Sequence, residues 1–336
     1  MEQSKVRIGV AGVANHGRTI INAIREAGNF DLISCYDVDE RAMKEVVMEF
    51  GIRAASSYQD LVMEQALEAV AIVTPNHLHA DQIWDALTVR KHIFVEKPIA
   101  LTLREAGEVL RLAKRKDRVV MVGHNTRRKR VFREAKKILD EGRIGMVVAV
   151  EANMSRHVGL EEGLPAWKED PAKCRLLPMT QLGIHFVDVL YYLFSGVKKV
   201  YCVVHNAAMK NSVVDTVSAV LQTVGGIPVT LTASYVTPDV YRFCVYGTEG
   251  TLRCYSFSLE LEIRHPWEVI EMDFSSEGAE SYVLQMREFG DCIRTGRKPE
   301  TGSREALQAL SVIEAMAESA TIEGAIEIKE IWSEAQ

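Results

Sequence analysis

Residues 8–24 read IGVAGVANHGRTIINAI: an apolar run, a glycine turn and the start of a helical period. Gly12, Ala14 and Gly17 stand at the spacing of the G-x-G-x-x-G dinucleotide fingerprint, directly after a strand-length run and opening a helix, and that placement counts for more than the glycines themselves. Gly12 allows the tight turn and Gly17 close packing of helix on strand. The turn and helix start, Gly12, Val13, Ala14, Asn15, His16 and Gly17, would hold a pyrophosphate with backbone amides at the positive end of the helix dipole. Ala14 takes the middle position, where a methyl group asks only a small displacement of the ligand.

Outward from this stretch the same rhythm repeats. VRIGVAG, FDLISCYD, AVAIVT, HIFVEK and RVVMVGH are short apolar or β-branched runs, each followed by a helical period, as in β-α-β units with a parallel sheet covered on both faces. Asp37 closes the second run, where an acid accepts hydrogen bonds from the adenosine ribose hydroxyls and repels a 2′-phosphate. NAD is therefore the expected cofactor, with NADP possible because Arg41 follows one helical turn later. Alone, Asp37 reads equally as the start of a turn or a helix cap.

After residue 145 the texture becomes β-rich: MVVAVEANMS, KKVYCVVHNA, VVDTVSAVLQTV, IPVTLTASYV, YRFCVYGT, GTLRCYSF and LELEIRH follow with little helix between most of them. Antiparallel connections are expected there, with turns such as Gly225-Gly226. One helix is expected from about Thr180 to Phe194, and two more near Tyr282 to Arg294 and Ser303 to Ile322. The fold class is thus α/β: a doubly wound, Rossmann parallel sheet over residues 1–124, then an α+β domain with a large, mostly antiparallel sheet over 125–336. The C-terminal helices are expected to pack back on the first domain.

The 336 residues are 47% hydrophobic and 26% charged, an ordinary soluble globular balance, and a net charge of −6 provides no basic field for nucleic acid. The run RRKR at Arg127 to Arg130 is the one local exception and reads first as a solvated helix start. Six scattered cysteines, without a C-x-x-C pair or a His pair at metal spacing, point to structural thiols in a reduced cytoplasmic chain and to no metal site. The start MEQSKVRIGVAG has no signal-peptide pattern and no run has membrane-span length, so no membrane partner is expected.

Two strand ends carry polar groups to one edge: AVAIVTPNHLHA brings Thr74, Pro75, Asn76, His77 and His79, and HIFVEKPIALT brings Glu96, Lys97 and Pro98. Open α/β sheets bind ligands at that carboxyl edge. TPNHLH, EKP, the later GHNTRR, then QLGIHFVD and YGTEGTL together resemble the Gfo/Idh/MocA oxidoreductases, from about residue 5 to 330 and in order.

The resemblance implies a nicotinamide-dependent dehydrogenase acting on a secondary alcohol, or the matching ketone, of a sugar, cyclitol or related polyol. It places Lys97 beside the nicotinamide and the substrate hydroxyl, often before a cis peptide to the proline, here Pro98. With the sheet edge, it brings Thr74, Pro75, Asn76, His79, Glu96, Lys97 and Asn125 to the cofactor and His124, Gln181 and His185 to the substrate, where Arg127 and Trp167 are further candidates. Family members commonly carry an Asp and a His four residues apart on a second-domain helix; here these are Gln181 and His185. An amide orients a hydroxyl but takes up no proton, so His185, with an ordinary pKa near about 6.5, is the expected general acid/base and Lys97 the group that polarises the oxygen. Asp188, one turn on, either orients the His185 imidazole or is a partly buried helix residue. His77 reads as loop support, Arg127 and Arg128 as residues that can face the cleft, and Trp167 as a cover for the sugar face or a packing residue.

Two other readings stay open: an NAD-dependent hydrolase that oxidises and re-reduces a sugar within one turnover, and a regulator that binds the dinucleotide without chemistry. A homodimer or homotetramer is expected, because the free face of such a sheet commonly buries against a second subunit in the family.

Overall fold

A computed structural model of the chain describes residues 4–161, 164–209 and 213–328. It divides into two compact units, residues 4–125 with Ala279–Leu307, and Thr126–Gly278 with residues 308–328.

The first unit holds six strands, β1 (Val6–Ala11), β2 (Phe30–Tyr36), β3 (Arg53–Ala54), β4 (Ala69–Ile72), β5 (His92–Val95) and β6 (Val120–Val122). They form one sheet in the order β3-β2-β1-β4-β5-β6, with every pair parallel. The five runs read from the sequence all appear, and the addition is β3, whose two exposed residues carry no apolar signal. Chain order reverses between β1 and β4, so the crevice outside their carboxyl ends is the topological switch point.

Helices α1 (His16–Ala27), α2 (Glu40–Phe50), α3 (Tyr58–Met63), α4 (His79–Thr88) and α5 (Leu103–Lys116) connect these strands. Local chemistry sets their ends: Thr102 and Glu105 form a reciprocal capping box at α5, and Gly28, at φ +81°, closes α1 in the left-handed conformation. All four residues of β4 are buried, as expected for a strand covered on both faces.

The second unit contains α6 (Arg130–Asp140), α7 (Ile184–Phe194) and nine strands: β7 (Val147–Ser155), β8 (Val197–His205), β9 (Thr216–Thr223), β10 (Pro228–Ser234), β11 (Val240–Gly247), β12 (Gly250–Cys254), β13 (Ser258–Ile263), β14 (Glu268–Asp273) and β15 (Ile326–Glu327). Their order is β14-β13-β12-β11-β7-β10-β9-β8-β15. Every neighbouring pair is antiparallel except β7 with β10. That exception follows from connectivity, since α7 and the β8-β9 hairpin lie between the two strands and give the chain the length a parallel crossover needs. Gly226, at φ +87°, turns β9 into β10.

Two helices from the end of the sequence complete the molecule, α8 (Glu280–Thr295) and α9 (Ser303–Ile322). Val283, Met286 and Phe289 of α8 enter the core of the first unit with Ile8, Ile20 and Ile24, and the Phe289 ring lies 6.0 Å from Phe94 and 6.1 Å from Phe30. In the second unit Val312, Ile313 and Met316 of α9 join the sheet core built on Val200, Leu221, Leu231 and Phe243.

Candidate functional site

In the first unit the glycines are required by the fold itself. A Cβ on Gly12, which has φ +86°, would stand 2.5 Å from the Val73 carbonyl oxygen, and one on Gly17 would stand 2.1 Å from that of Gly12. Asn15 precedes α1 at φ +46° and ψ −107°, a positive-φ backbone outside the left-handed helical region. Ala14 sits in the turn without strain of this kind.

Asp37 does more than end a strand. Its Oδ2 accepts from the amides of Val13 (2.6 Å) and Ala14 (3.1 Å), and its Oδ1 from that of Asp39 (2.9 Å). This narrows the expected phosphate cradle, because two of its amides are already engaged; those of Asn15 and His16 donate to no acceptor among the described residues. A carboxylate has about four lone-pair directions, so Oδ1 keeps room to accept from a ribose hydroxyl. Arg41, the residue that could favour a 2′-phosphate, is instead paired with Glu45 at 3.1 Å on the surface.

The ends of β4 and β5 carry the TPNHLH and EKP turns. His79 is wholly buried, with Nδ1 2.7 Å from the Pro98 carbonyl oxygen and Nε2 2.8 Å from that of Thr74. Both ring nitrogens thus face the carbonyls that join the TPNHLH turn to the EKP turn, so the imidazole braces these loops. Burial pushes its pKa below the ordinary 6.5, outweighing the two carbonyl contacts, and a neutral ring donates to one of the two and only faces the other. Thr74 donates its hydroxyl to Gln82. Asn76 is buried, and its side-chain Nδ2 has no acceptor among the described residues.

Glu96 is also interior, with Oε1 3.2 Å from His16 Nε2, an ion-pair contact without the alignment of a hydrogen bond, and Oε2 accepting from the Lys97 amide at 3.3 Å. It fills the space over Gly123, where a Cβ would stand 2.5 Å from Oε1. Burial alone would raise the Glu96 carboxyl pKa, but His16 and Lys97 outweigh it and hold it below its ordinary value. Its carboxylate therefore acts on the site through His16 and Lys97. His16 also presents its ring to Tyr282 edge-on at 5.5 Å, and burial pushes that phenol up to about 12. Lys97 itself is half-buried and joined to Pro98 by a cis peptide.

His124 and Asn125, after β6, are buried, at 1% and 3% exposure. Asn125 donates to Ser281 Oγ at 3.1 Å, which ties it to the start of α8. The ring of His124 forms part of the interior wall; it is not a solvent-facing substrate contact.

In the second unit, the helix expected from Thr180 begins as a π-helical turn, Met179–Gly183, and continues as α7. Such turns widen a helix by one residue and recur at functional sites. Gln181 lies in the wide turn and His185 in the first turn of α7, both half-buried. Gln181 Nε2 donates to Cys174 Sγ at 3.5 Å, and Thr126 Oγ1 lies 3.2 Å from His185 Nδ1. Thr126 is a residue the sequence reading missed: one hydroxyl 59 positions from its histidine leaves no pattern.

Arg127 is not a cleft residue. Its guanidinium spans the Asp188 carboxylate, Nε to Oδ2 at 2.8 Å and Nη2 to Oδ1 at 2.5 Å, with both side chains buried. Asp188 thereby has a structural partner, and the hydroxyl of Thr126 is the group placed at His185 Nδ1. Of the RRKR run only its last residue is a solvated helix start: Arg130 is exposed, opens α6 and lies over Phe274 at 5.1 Å, whereas Arg128 is 2% exposed and the half-buried Lys129 places Nζ over Tyr241 and Phe257 at 4.8 and 4.6 Å. Trp167 is half-buried and packs with Leu164 and Leu182 against Cys174, Leu177 and Tyr235. All six cysteines are buried thiols, and no helix among the described residues is long and apolar enough to cross a membrane.

A parallel sheet with this turn, and a second unit with this sheet, define a two-unit dinucleotide oxidoreductase. Two family models match the chain, the oxidoreductase family with NAD-binding Rossmann fold over residues 6–124 and the GFO/IDH/MocA C-terminal domain over residues 132–253. The chain belongs to the Gfo/Idh/MocA family of NAD(P)-dependent oxidoreductases. It is similar to glucose-6-phosphate 3-dehydrogenase of Bacillus subtilis, 25% identical over 56% of this chain and 54% of that protein, so it matches about half the length of that relative. It is similar along nearly its whole length to D-xylose 1-dehydrogenase (NADP(+)) 2 of Haloferax volcanii, 25% identical over 95% of this chain and 99% of that one. The fold matches a levoglucosan dehydrogenase solved with NADH and levoglucosan at a TM-score of 0.89 and 20% identity, covering 97% of this chain and 100% of that one.

Proposed function

We propose that this protein moves a hydride between a nicotinamide and a secondary alcohol or ketone of a sugar, cyclitol or related polyol, with the first unit holding the cofactor and the second the substrate. The observation that carries the reading is Lys97, half-buried at the carboxyl edge of the parallel sheet and close enough to the buried Glu96 for its charge to hold that carboxyl down. Residues around it fit a dinucleotide: the glycine turn, the two open amides of Asn15 and His16, the remaining acceptor on Asp37 and the Nδ2 of Asn76.

Bound nicotinamide supplies the hydride acceptor or donor. In the oxidative direction Lys97 donates a hydrogen bond to the substrate oxygen as the carbon–hydrogen bond breaks, and His185 takes the hydroxyl proton at the ring nitrogen not facing Thr126. Gln181 orients the hydroxyl and carries no proton, since an amide has none to exchange near neutrality. Asp37 beside the ribose favours NAD over NADP, and Trp167 covers the sugar face. The names of the relatives, which act on glucose 6-phosphate and xylose, support the substrate class.

A homodimer or homotetramer in the cytoplasm completes the reading. It is supported by the outward face of β8 and β9, where Tyr201, Val203 and Val220 are 42%, 54% and 54% exposed and Tyr201 and Val220 pair across the strands. The test is a panel of sugars, cyclitols and ketones with NAD and NADP, following nicotinamide absorbance and analysing products. Turnover of at least one polyol with stoichiometric reduced nicotinamide is expected. Cleaved product with no accumulated reduced nicotinamide would replace this reading with redox-cycling hydrolysis, and tight NAD binding with no turnover would replace it with a regulator.

A further inference from the structure

Lys168 lies in the short 3-10 turn Ala166–Glu169, two residues into a loop that the proposed reaction uses only through Trp167. Its ammonium nitrogen stands 5.5 Å from the Trp167 ring centroid and 6.0 Å from that of Tyr235. Among the described residues no carboxylate lies within ion-pair distance of it. Neighbouring charges are already matched: Asp170 pairs with Lys173 at 3.4 Å and Arg156 with Asp239 at 3.5 Å. Burial pushes the Lys168 pKa down; the nearby Cys174 thiol opposes this and the Arg156 cation adds to it. A half-buried cation that has, among the described residues, two aromatic faces and no carboxylate beside it is incompletely compensated.

Its position is tied to the polyol half of the site. Trp167 and Leu182, the residue after Gln181, pack on one apolar cluster that includes Cys174 and Tyr235, and the Gln181 amide donates to Cys174 Sγ. Aromatic faces suit the apolar side of a sugar ring, and a lysine among them adds a point charge where a neutral polyol has nothing to offer it. A purely structural lysine would be expected to reach bulk water or a carboxylate.

We infer that Lys168 is a specificity-determining residue that pairs with an oxyanion substituent of the substrate, so that the preferred polyols are acidic ones. This rests on the oxidoreductase reading for the location of the substrate. The oxyanion is a carboxylate or a phosphate; both accept charge-assisted hydrogen bonds from an ammonium.

The experiment compares matched neutral, carboxylate and phosphate forms of several sugars and cyclitols, by calorimetric binding to the NAD-loaded protein and by turnover, in the natural chain and in Lys168→Met and Lys168→Arg. Expected is tighter binding of one acidic form by about tenfold or more, with that preference falling to near unity in Lys168→Met and largely returning in Lys168→Arg. The acidic form that gains identifies carboxylate or phosphate. Lys168→Arg also guards against a folding defect, and NAD affinity is measured in each variant. Equal binding of neutral and acidic forms, or a preference untouched by Lys168→Met, overturns the assignment while leaving turnover of neutral polyols to support the reaction. Selective binding of an acidic form with no turnover supports Lys168 and sinks the oxidoreductase reading instead.

Discussion

Two of the histidines expected at the site, His79 in the first unit and His185 in the second, have opposite fates. His79 is enclosed and both of its ring nitrogens face backbone carbonyls, whereas His185 is half-buried on a widened helix turn with Nδ1 beside the Thr126 hydroxyl. Similar side chains, each inside a family motif, are therefore a brace in one unit and a candidate proton carrier in the other. What separates them is burial, a quantity that a motif does not contain.

The contrast breaks most sharply at Lys97. Lys97→Ala should lower kcat by on the order of 100-fold to 10,000-fold, while NAD affinity, read by fluorescence titration, stays within a few-fold. His185→Ala should lose a similar factor, and the double variant should lose much less than the product of the two if both act on one substrate oxygen. Near-natural kcat in either single variant removes that residue from the reaction.

The next effect is on stability. Asp188→Ala leaves the buried Arg127 guanidinium without its bidentate partner and should cost about 3–5 kcal/mol in denaturant unfolding. A variant that folds normally but has a raised KM would restore Arg127 as a substrate contact.

His79 supplies a smaller, pH-dependent effect. Its folded pKa lies below the ordinary 6.5, and that of His92 is lowered to about 4 by burial and by Arg118. Both rings bind fewer protons folded than unfolded, so the stability they contribute is fully present above pH 6.5 and is lost as pH falls towards the folded values. Below pH 6.5 each proton difference gives a slope approaching about 1.4 kcal/mol per pH unit. His79→Gln should flatten the slope by one proton, measured by unfolding at stepped pH, and an unchanged slope would refute the enclosed neutral ring. The smallest effect is expected from Asp37→Ser, which should shift the NAD over NADP ratio of kcat/KM by about tenfold, or about 1.4 kcal/mol, towards NADP. An unchanged ratio would leave Asp37 as a brace of the glycine turn alone.

Much of the fold was legible before any coordinates. The five apolar runs of the parallel sheet, strands β7 to β13 of the second sheet and all three late helices were readable because each carries apolar positions at one period. The strands β3 and β15, with two residues each, were too short to show a period, and β14 alternates on a largely exposed edge. At the site, Gly12, Gly17, Asp37 and Lys97 stood out because strand–turn–helix context confines each to one sheet edge.

By itself, the sequence determined the parallel sheet, the glycine turn and the family, since these depend on local periodicity and on residues close together in the chain. Only the tertiary structure decided which polar groups are committed elsewhere. Arg127 goes to Asp188, Asn125 to Ser281 and His79 to two carbonyls, and Glu96 turns inward to His16, because a buried polar group must find a partner and that partner is chosen by space rather than by spacing.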